Sequence, residues 1–505
     1  MPEVLDAPSM AAATEQFISG EHQLFINNMW VDASSNEMLN VINPASGETI
    51  ATVSAASAED IDAAVNAARQ AFDHGPWRTM GATARAELLL KLADLVAAQG
   101  QTFAETEVLC TGMPMATAAA MAPIVARDWL RYYAGWATKI SGETLAQDPL
   151  PFPGAATESF LMTRKEPVGV AAQIVPWNFP LGMTIMKLGP ALAAGCTVVL
   201  KPDEHTPLSA LLLARLTKEA GFPDGVINIV PGYGHVAGAA LAEHPLVDKI
   251  SFTGSTEVGR KIVDACKGNL KKVTLELGGK SPFIVMPDAD LTKAIPMAVM
   301  QGYFLQGQNC VCPSRMLVHH SIYDQFIEGV KAGAESLMIG PGLNPETTLG
   351  PLVSARQLSR VQSYVDAGKA EGAELISGGA ALDRPGHFMP PTLFAGCNRE
   401  MKIVREEIFG PVLTVTKLAT DDIAEVIDYA NDTVYGLNGS VWTENIGTAM
   451  RISSGVRSGI VGINAHTMSD IHGGLGGYKQ SGWGREMGSE SLDAYLETKT
   501  VIMHY

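Results

Sequence analysis

The alternation of short apolar runs with helical patterns from Gly169 onward constrains the fold more than any other feature of the sequence. Four short runs follow one another, with patterns of helical spacing between them: GVAAQIVP, CTVVLKP, VINIVPG and KISFTGS. This order predicts a doubly wound parallel sheet with helices on both faces. Ligands of such sheets bind beyond the carboxyl ends of the strands, so we expect the residues directly after each run to form a site.

Two flanking regions show different patterns. Between residues 22 and 54, short alternating runs with Asn, Ser and Gly turns predict antiparallel strands, and Ser57–Asp60 predicts a capping box that opens a helix. A second α/β segment runs from about 280 to 480, with SPFIVMP, RMLVHH and VLTVTKL as predicted strands. The predicted fold class is therefore α/β, with two sheet-containing domains.

Charge and composition restrict the partners. The chain of 505 residues has a formal net charge of −17, which disfavours nucleic acid and anionic membranes. The long uncharged run between Glu166 and Lys187 is interrupted by prolines and side-chain amides, which excludes a membrane span. No lysine or arginine precedes Arg69, so the basic region of a secretory signal or transit peptide is missing. We therefore predict a cytoplasmic protein.

The six cysteines do not predict a disulfide framework in so long a chain. Cys310 and Cys312 are separated by one residue and could form half of a metal site, a redox couple, or a nucleophile with a neighbour. A zinc site needs further ligands at suitable spacing. His319 and His320 follow, but adjacent residues of a strand point to opposite faces, so we predict no metal site.

Two strand ends of the repeat predict a dinucleotide. Gly254 permits a sharp turn and Ser255 begins a helix, whose free amides and positive end would face a pyrophosphate; ordinary helix capping explains the same residues equally well. Lys201 and Glu204 follow an earlier strand, where they can bind a ribose diol, although either alone would suit a solvated loop. The stretch 232–238 has one residue too many for the dinucleotide fingerprint, and we interpret it as a structural turn.

Six motifs, in order and spacing, resemble those of the aldehyde dehydrogenase family. They are IVPWNFP (174–180), FTGSTEVG (252–259), TLELGGKSP (274–282), GQNC (307–310), EEIFGPV (406–412) and NDTVYGLNGSVWT (431–443). The resemblance extends from about residue 22 to residue 505 and implies oxidation of an aldehyde to its carboxylic acid with NAD and without a metal. One stretch departs from the family: Gly474-Leu475-Gly476-Gly477 replaces a Pro-Phe-Gly-Gly sequence beside the substrate entrance.

The resemblance assigns three catalytic residues. Cys310 would add to the aldehyde as a thiolate, giving a thiohemiacetal that becomes a thioester after hydride transfer. The side-chain amide of Asn178 and the backbone amide of Cys310 would stabilise the oxyanion. Glu276 would activate water, and its apolar strand end predicts a raised pKa; a structural carboxylate is the alternative. Cys312 is interpreted as a packing residue, with a reversible disulfide to Cys310 as the minor alternative.

The resemblance also implies the cofactor site. A carboxylate at Glu204 would accept hydrogen bonds from a ribose diol and would repel a 2′-phosphate, so NAD is predicted rather than NADP. Glu407 and Phe409 resemble residues that hold the nicotinamide half of the cofactor. The expected cofactor-binding residues are Ile174, Trp177, Lys201, Glu204, Gly254, Ser255, Gly278, Glu407 and Phe409.

Four apolar side chains near the predicted catalytic residues have two interpretations. Phe179, Met183 and Met186 share one face of the helix predicted after Asn178, and Phe304 precedes the nucleophile by six residues. They either pack in the core or line a substrate tunnel. In a tunnel, flexible methionines and phenylalanines would suit an aromatic or hydrophobic aldehyde.

A finer resemblance concerns the substrate. The segments YYAGWATKISGETL (132–145) and NAHT (464–467) and the ending ETKTVIMHY resemble bacterial phenylacetaldehyde dehydrogenases. We therefore predict oxidation of phenylacetaldehyde to phenylacetate. A general aliphatic, betaine or semialdehyde dehydrogenase of the same family is the alternative. Acyl transfer to coenzyme A and esterase activity are more distant ones.

The resemblance and the patterns together give the domains. A small β arm is expected to pair sheets between subunits, so a homo-oligomer, dimer or tetramer, is expected by analogy. The predicted ranges are a loose leader at 1–20, an NAD-binding domain at 21–148 and 167–278, a catalytic domain at 279–485, and the arm at 149–166 and 486–505.

Overall fold

The computed structural model describes residues 8–148, 159–466 and 470–504. The strands in these ranges are β1 (Leu24–Ile26), β2 (Met29–Val31), β3 (Met38–Ile42), β4 (Thr49–Ser54), β5 (Thr144–Leu145), β6 (Ser159–Pro167), β7 (Val170–Ile174), β8 (Thr197–Lys201), β9 (Ile227–Ile229), β10 (Lys249–Thr253), β11 (Lys272–Glu276), β12 (Pro282–Val285), β13 (Arg315–His319), β14 (Glu374–Ser377), β15 (Thr392–Ala395), β16 (Val412–Leu418), β17 (Asn438–Trp442), β18 (Ile460–Ile463), β19 (Gly482–Trp483) and β20 (Leu496–His504).

The α-helices in the same ranges surround the sheets. They are α1 (Ala12–Ile18), α2 (Ala58–Asp73), α3 (Ala82–Ala98), α4 (Gly100–Thr111), α5 (Met115–Ala120), α6 (Ala126–Ala137), α7 (Pro180–Ala194), α8 (Leu208–Ala220), α9 (Ala239–Glu243), α10 (Thr256–Cys266), α11 (Leu291–Tyr303), α12 (Tyr323–Glu335), α13 (Ala355–Ala370), α14 (Lys402–Arg405), α15 (Ile423–Asn431), α16 (Ile446–Gly455) and α17 (Glu490–Asp493). None of the helices described is both long and apolar enough to cross a membrane.

The first sheet has the strand order β19-β11-β10-β7-β8-β9-β1-β2. Its five central strands are parallel, as the βαβα pattern predicted. Strands β1 and β2, in the region predicted to form antiparallel strands, extend one edge antiparallel. Successive side chains of β7 enter different cores: Ala171 packs on one face, and Val170 and Ala172 pack on the other. A strand buried on both faces has a continuous apolar sequence, which explains the runs seen in the sequence.

The second sheet has the order β14-β15-β16-β13-β12-β17-β18 and is parallel except for β14. A third sheet, β20-β6-β5, forms the arm, in which β20 pairs antiparallel with β6 from Leu496↔Pro167 to His504↔Ser159. The predicted capping box is present, because Ser57 Oγ accepts from the Asp60 amide and Asp60 accepts from the Ser57 amide.

The prediction of a loose leader at 1–20 is wrong for its last part. Helix α1 begins at Ala12, and Phe17 and Ile18 are buried in the core of the first domain. The buried carboxylate of Glu105 accepts from the Ala11 amide at 3.1 Å and from the Thr14 hydroxyl, which satisfies the free helix end. Apolar burial and this remote carboxylate order the segment, and neither is visible in local sequence.

Two predicted boundaries also differ from the structure. Residues 482–483 lie in the range predicted for the catalytic domain, but they form strand β19, which pairs with β11 in the first sheet through Leu275↔Trp483. The arm strand β20 begins at Leu496 rather than at residue 486, and β5 supplies a third arm strand from within the range 21–148. Residues 149–158, part of the predicted arm, lie outside the described residues.

Candidate active site

The cysteine turn, residues 309–312, follows a strained segment of backbone. Leu305, Gln306 and Gly307 have φ values of 50°, 58° and 68°, a left-handed conformation that residues other than glycine adopt at a cost. The Gln306 side chain donates to Gly112 O at 3.1 Å, and the Gln308 amide donates to Leu305 O at 2.9 Å. Such strain persists where neighbouring contacts enforce it, and it is concentrated at functional sites.

Asn178 lies against the residue that precedes the cysteine turn. Its side-chain nitrogen donates to the carbonyl oxygen of Gln308 at 3.0 Å, and its side chain is buried. Asn178 is held at the start of α7, where Pro180 occupies the first turn and the buried Glu107 accepts from the Leu181 amide at 2.7 Å. The structure therefore brings the side-chain amide of Asn178 together with the segment that carries Cys310.

Glu276 ends strand β11, and the glycines after it pack tightly. A Cβ atom at Gly279 would collide with the carbonyl oxygen of Cys310, and one at Gly278 would collide with the Glu407 carboxylate. Glu407 also accepts from the Gly279 amide at 2.9 Å. Glycine at both positions thus lets the end of β11, the cysteine turn and Glu407 meet.

Burial favours the neutral form of all three ionisable groups at this junction. Burial, and then the carboxyl groups of Glu407 and Glu276, raise the pKa of the Cys310 thiol to about 12. Burial raises the pKa of Glu407 to about 7. Burial, and then the nearby Glu486, raise the pKa of Glu276 well above its ordinary value, as predicted. One oxygen of Glu276 has no hydrogen-bond partner among the residues that the structure describes, which leaves it able to accept from a water molecule.

A buried ion pair next to Glu276 was missed from the sequence. Lys187 on α7 contacts the Glu486 carboxylate, and both hydrogen-bond to Ser251 Oγ at 2.9 Å. Glu486 raises the pKa of Glu276 and Lys187 lowers it, so the pair sets the electrostatic environment of that carboxylate. The available signal was Lys187 itself, the one charged residue in a wholly buried helix.

The adenosine side of the expected cofactor site lies at the carboxyl ends of β7, β8 and β10. Lys201 is buried, and its Nζ is 3.4 Å from Glu204 Oε2. Gly254 follows β10, and Ser255 begins α10, with its hydroxyl accepting from the Val258 amide at 3.3 Å. A carboxylate for a ribose and a helix N-terminus for a pyrophosphate fit a dinucleotide.

The other side of the cofactor site joins the two sheet domains. The rings of Trp177 and Phe409 meet edge to face with centroids 5.3 Å apart. Phe409 has a φ of 60°, a second strained position near the site. Ile174, at the end of β7, completes the set, so all nine expected cofactor residues lie at strand ends or at the junction of the domains.

Comparison with known proteins agrees with this arrangement. Residues 30–501 match the model of the aldehyde dehydrogenase family. The chain belongs to the aldehyde dehydrogenase family. DhaS of Bacillus subtilis, named as an aldehyde dehydrogenase, is 49% identical over 487 residues, which is 96% of each chain. The phenylacetaldehyde dehydrogenase of Pseudomonas fluorescens is 45% identical over 488 residues, again 96% of each chain.

A solved structure supports the same assignment. The NAD+ complex of the aldehyde dehydrogenase from Bacillus cereus superposes with a TM-score of 0.95 and 44% identity, covering 99% of this chain and 100% of that one. The predicted family, aldehyde dehydrogenase fold and enzyme class are therefore confirmed. The cofactor in that neighbour is the one predicted for this dehydrogenase.

The four apolar side chains near the site differ in their surroundings. In this dehydrogenase the rings of Phe179 and Phe304 face each other with centroids 6.1 Å apart, and Phe304 is only partly buried. Phe179 lies in the core of the first domain together with Met183 and Met186; Phe179 and Met183 keep 5% and 4% of their surfaces exposed, and Met186 has no exposed surface. Phe179 and Phe304 thus remain candidates for contact with substrate, whereas the surroundings of Met186 match the core-packing alternative.

Cys310 and Cys312 of the dehydrogenase are both free thiols. Cys310 is half-buried and packs against the core of the first domain, whereas Cys312 is buried in the core of the second domain. Cys312 Sγ is 3.4 Å from the carbonyl oxygen of Gly302. These surroundings are those of a packing residue, as interpreted from the sequence.

The expectation that His319 and His320 point apart is wrong. Strand β13 ends at His319, so the alternation ends there, and the two rings lie 4.2 Å apart beside Asp421. Both nitrogens of His319 already have partners at 2.8 Å, namely Ser321 Oγ and Asp421 Oδ1. The three side chains therefore form a hydrogen-bonded group whose candidate ligand atoms lie within 4.8 Å of one another.

Proposed function

We propose that this dehydrogenase uses NAD to oxidise an apolar aldehyde, with phenylacetaldehyde as the preferred substrate and phenylacetate as the product. The observation that carries the proposal is the meeting of Cys310, Asn178 and Glu276 at one junction, although they lie far apart in the sequence. A nucleophile, an amide donor and a carboxylate are the groups that aldehyde oxidation through a thioester requires.

The roles of the three residues follow from their chemistry. After its thiol proton has passed to solvent, the Cys310 sulfur adds as a thiolate to the aldehyde carbon and the carbonyl π bond breaks. The Asn178 amide with the Cys310 backbone amide stabilises the oxygen that becomes negative. When the thioester has formed, Glu276 takes a proton from water, which attacks the acyl carbon and releases the carboxylate and the thiol. Its raised pKa matches a base that must hold a proton near neutral pH.

The cofactor residues form two groups. Lys201 and Glu204 would hold the adenosine ribose and Ser255 the pyrophosphate, while Glu407 and Phe409 would hold the nicotinamide half. NAD, when bound, supplies the acceptor for the hydride that leaves the substrate carbon. The carboxylate of Glu204 supports the choice of NAD over NADP, because it would repel a 2′-phosphate.

Two observations support an aromatic substrate. Phe179 and Phe304 form an aromatic pair next to Asn178 and upstream of the nucleophile, and an aryl group can stack on such a surface. The relative from Pseudomonas fluorescens is named for phenylacetaldehyde, whereas DhaS, with higher identity, has a name without a substrate. The substrate therefore needs a direct test.

The test compares specificity constants for phenylacetaldehyde, hexanal and betaine aldehyde with NAD as cofactor. We expect the order phenylacetaldehyde, hexanal, betaine aldehyde, and a Phe179→Ala variant should lose more activity with the aryl substrate than with hexanal. Met186→Leu is the matched control, since Met186 is wholly buried and a similar volume should leave the ratio unchanged. A higher specificity constant for betaine aldehyde would contradict phenylacetaldehyde as the preferred substrate.

We also propose that the dehydrogenase forms a homo-oligomer through the arm. Strand β20 is the edge of its sheet, and Ile502 and Met503 expose 57% and 53% of their surfaces there. A long edge strand with exposed apolar side chains favours pairing with another chain. The cytoplasmic location stays a prediction from the sequence.

A further inference from the structure

His466 is a buried histidine in direct contact with the cysteine turn. It follows β18 and has no exposed surface. Its Nε2 lies 2.8 Å from the carbonyl oxygen of Val311, and its Nδ1 lies 2.9 Å from Ser440 Oγ on β17. The ring thus connects the second sheet to the residue directly after Cys310.

The two contacts fix the protons of the ring. A carbonyl oxygen only accepts hydrogen bonds, so Nε2 must carry the proton and donate it to Val311. Burial lowers the pKa of His466 to about 4, so the ring is neutral at ordinary pH and its Nδ1 accepts from the Ser440 hydroxyl. The result is a directed pair of hydrogen bonds, from Ser440 to His466 and from His466 to Val311.

The bond to Val311 acts on the backbone that carries the nucleophile. Within the turn, the Cys312 amide donates to Asn309 O at 3.0 Å and the Val311 amide lies 3.3 Å from Asn309 Oδ1. The Val311 amide contact orients the peptide group before Val311. The Cys312 amide contact and the His466 contact hold the N–H and the carbonyl of the peptide group after it. Cys310 is the only one of the four turn residues that is not buried. It supplies the carbonyl of the peptide group before Val311, so a rotation of either peptide group changes the direction of its side chain.

We propose that His466 is a positioning residue, which holds the Val311 carbonyl and thereby aims the Cys310 sulfur at the substrate. This rests on the proposed role of Cys310 as the nucleophile. The chain contains a matched control for a simple loss of stability. His319 is also a buried histidine of the second domain, with both nitrogens bonded, but it lies at the far end of β13 from the cysteine turn.

The test compares His466→Phe, His466→Gln and His319→Phe in the full-length enzyme. Phenylalanine keeps a planar ring without the donor, whereas glutamine can donate to Val311 and accept from Ser440. We expect His466→Phe to lower kcat about tenfold or more, the order expected when a reacting group is displaced by a fraction of an ångström. The KM for NAD should stay within about twofold, since the cofactor residues are untouched.

Three outcomes separate positioning from stability. We expect glutamine at 466 to restore most of kcat, and His319→Phe to leave kcat unchanged even where it lowers the melting temperature. Equal kcat values for the phenylalanine and glutamine variants, or an equal loss in His319→Phe, would overturn the proposal. If His466→Phe does not fold, Ser440→Ala replaces it as the test, because it removes only the donor to Nδ1. This variant should lower kcat measurably, and an unchanged kcat would contradict the positioning role of His466.

A labelling measurement distinguishes this proposal from the role of Cys310 itself. Alkylation of Cys310 by iodoacetamide, followed by mass spectrometry of its peptide, should occur at different rates in wild type and His466→Phe. If Cys310→Ala keeps its activity, the proposed nucleophile is wrong. If Cys310→Ala is inactive while His466→Phe has normal kcat and alkylation, only the positioning role is wrong.

Discussion

Burial sets the charge states of individual residues at the active site. With its pKa raised to about 12, Cys310 is a thiol at neutral pH, and Glu276 is displaced towards its protonated form. The carboxyl groups of Glu276 and Glu407 contribute to the thiol shift because negative charge nearby disfavours a thiolate. The reactivity of the sulfur therefore depends on the charges of these two neighbours.

Replacing Glu276 with glutamine tests the hydrolytic step. The Cys310 thioester should still form and release about one equivalent of NADH per site as a burst. Turnover should then slow, because the amide of glutamine cannot activate water. The later steady rate should fall about 100-fold or more, the usual contribution of a positioned base. Rapid-mixing absorbance of NADH measures both phases, and an unchanged steady rate would contradict the assigned role.

The wild-type enzyme should show the matching pH dependence. A raised pKa means that the fraction of Glu276 present as carboxylate still increases with pH through that raised value and levels off above it, so deacylation should become faster over that range. The steady rate in the glutamine variant should lack this rise. A steady rate with the same pH profile in both proteins would exclude Glu276 as the base.

Replacing Glu407 with glutamine tests the charge that acts on the thiol. Glu407 is the largest of the charge effects that raise the pKa of Cys310, so removing it should lower that pKa. Because the pKa of Glu407 is itself about 7, the difference should grow above neutral pH, where the wild-type carboxyl group is ionised. The alkylation rate of Cys310 in wild type and in the Glu407→Gln variant, followed from about pH 6 to about pH 10, measures this difference, because that range includes the pH at which an ordinary thiol ionises. Glu406→Gln is the control at the neighbouring position. Coincident profiles would contradict the electrostatic account.

At the scale of elements, the local sequence pattern predicted the strands that are buried on both faces of the first sheet. Strands β7, β8 and β10 appear where the apolar runs lie, because each is buried on both faces and must be continuously apolar. The two-residue strand β19 and the helix α1 were not predicted. Strand β19 forms by pairing with Leu275, and helix α1 is held by Glu105. Both partners are far away in the sequence, so no short window of sequence contains them.

The ion pair between α7 and the segment before α17 is open to a stability test. Lys187→Met should leave the Glu486 carboxylate buried and unpaired, lowering the free energy of unfolding by about 3–5 kcal/mol. The double variant Lys187→Met/Glu486→Leu removes both charges and should be less destabilised than the single variant. Denaturant midpoints of the three proteins measure this, and an equally or more destabilised double variant would contradict the coupling.

At the scale of the molecule, the active site exists only because two sheet domains face each other. Asn178 and Glu276 come from the first domain, and Cys310 and Glu407 come from the second. The roles of these residues were predicted from motifs that resemble those of the family. Their proximity depends on the packing of Gly278 and Gly279 against the second domain, which the sequence did not predict. The Lys187–Glu486 pair and the contact between His466 and Val311 likewise join residues that are far apart in the sequence.

In the part of the chain that the structure describes, strand β20 of the arm is an edge strand. Strand β20 pairs with β6 on one side only, and its outer edge presents backbone groups and apolar side chains from the same nine residues. Edges of this kind are normally covered, shortened or charged in proteins that remain monomers. The arm therefore predicts self-association.

Light scattering after gel filtration tests this prediction. The wild-type mass should be a multiple of 53.5 kDa, a dimer or tetramer. The double variant Ile502→Lys/Met503→Lys places charges on both faces of β20 and should shift the mass towards one chain, because a lysine buried in an interface without a partner is strongly unfavourable. Both side chains are more than half exposed, so the fold of the chain itself should be unaffected. The matched control is Ile446→Lys/Met450→Lys on α16, where the same residue types are 72% and 53% exposed. A monomeric wild type, or dissociation by the α16 variant alone, would show that β20 is not the surface through which the chains associate.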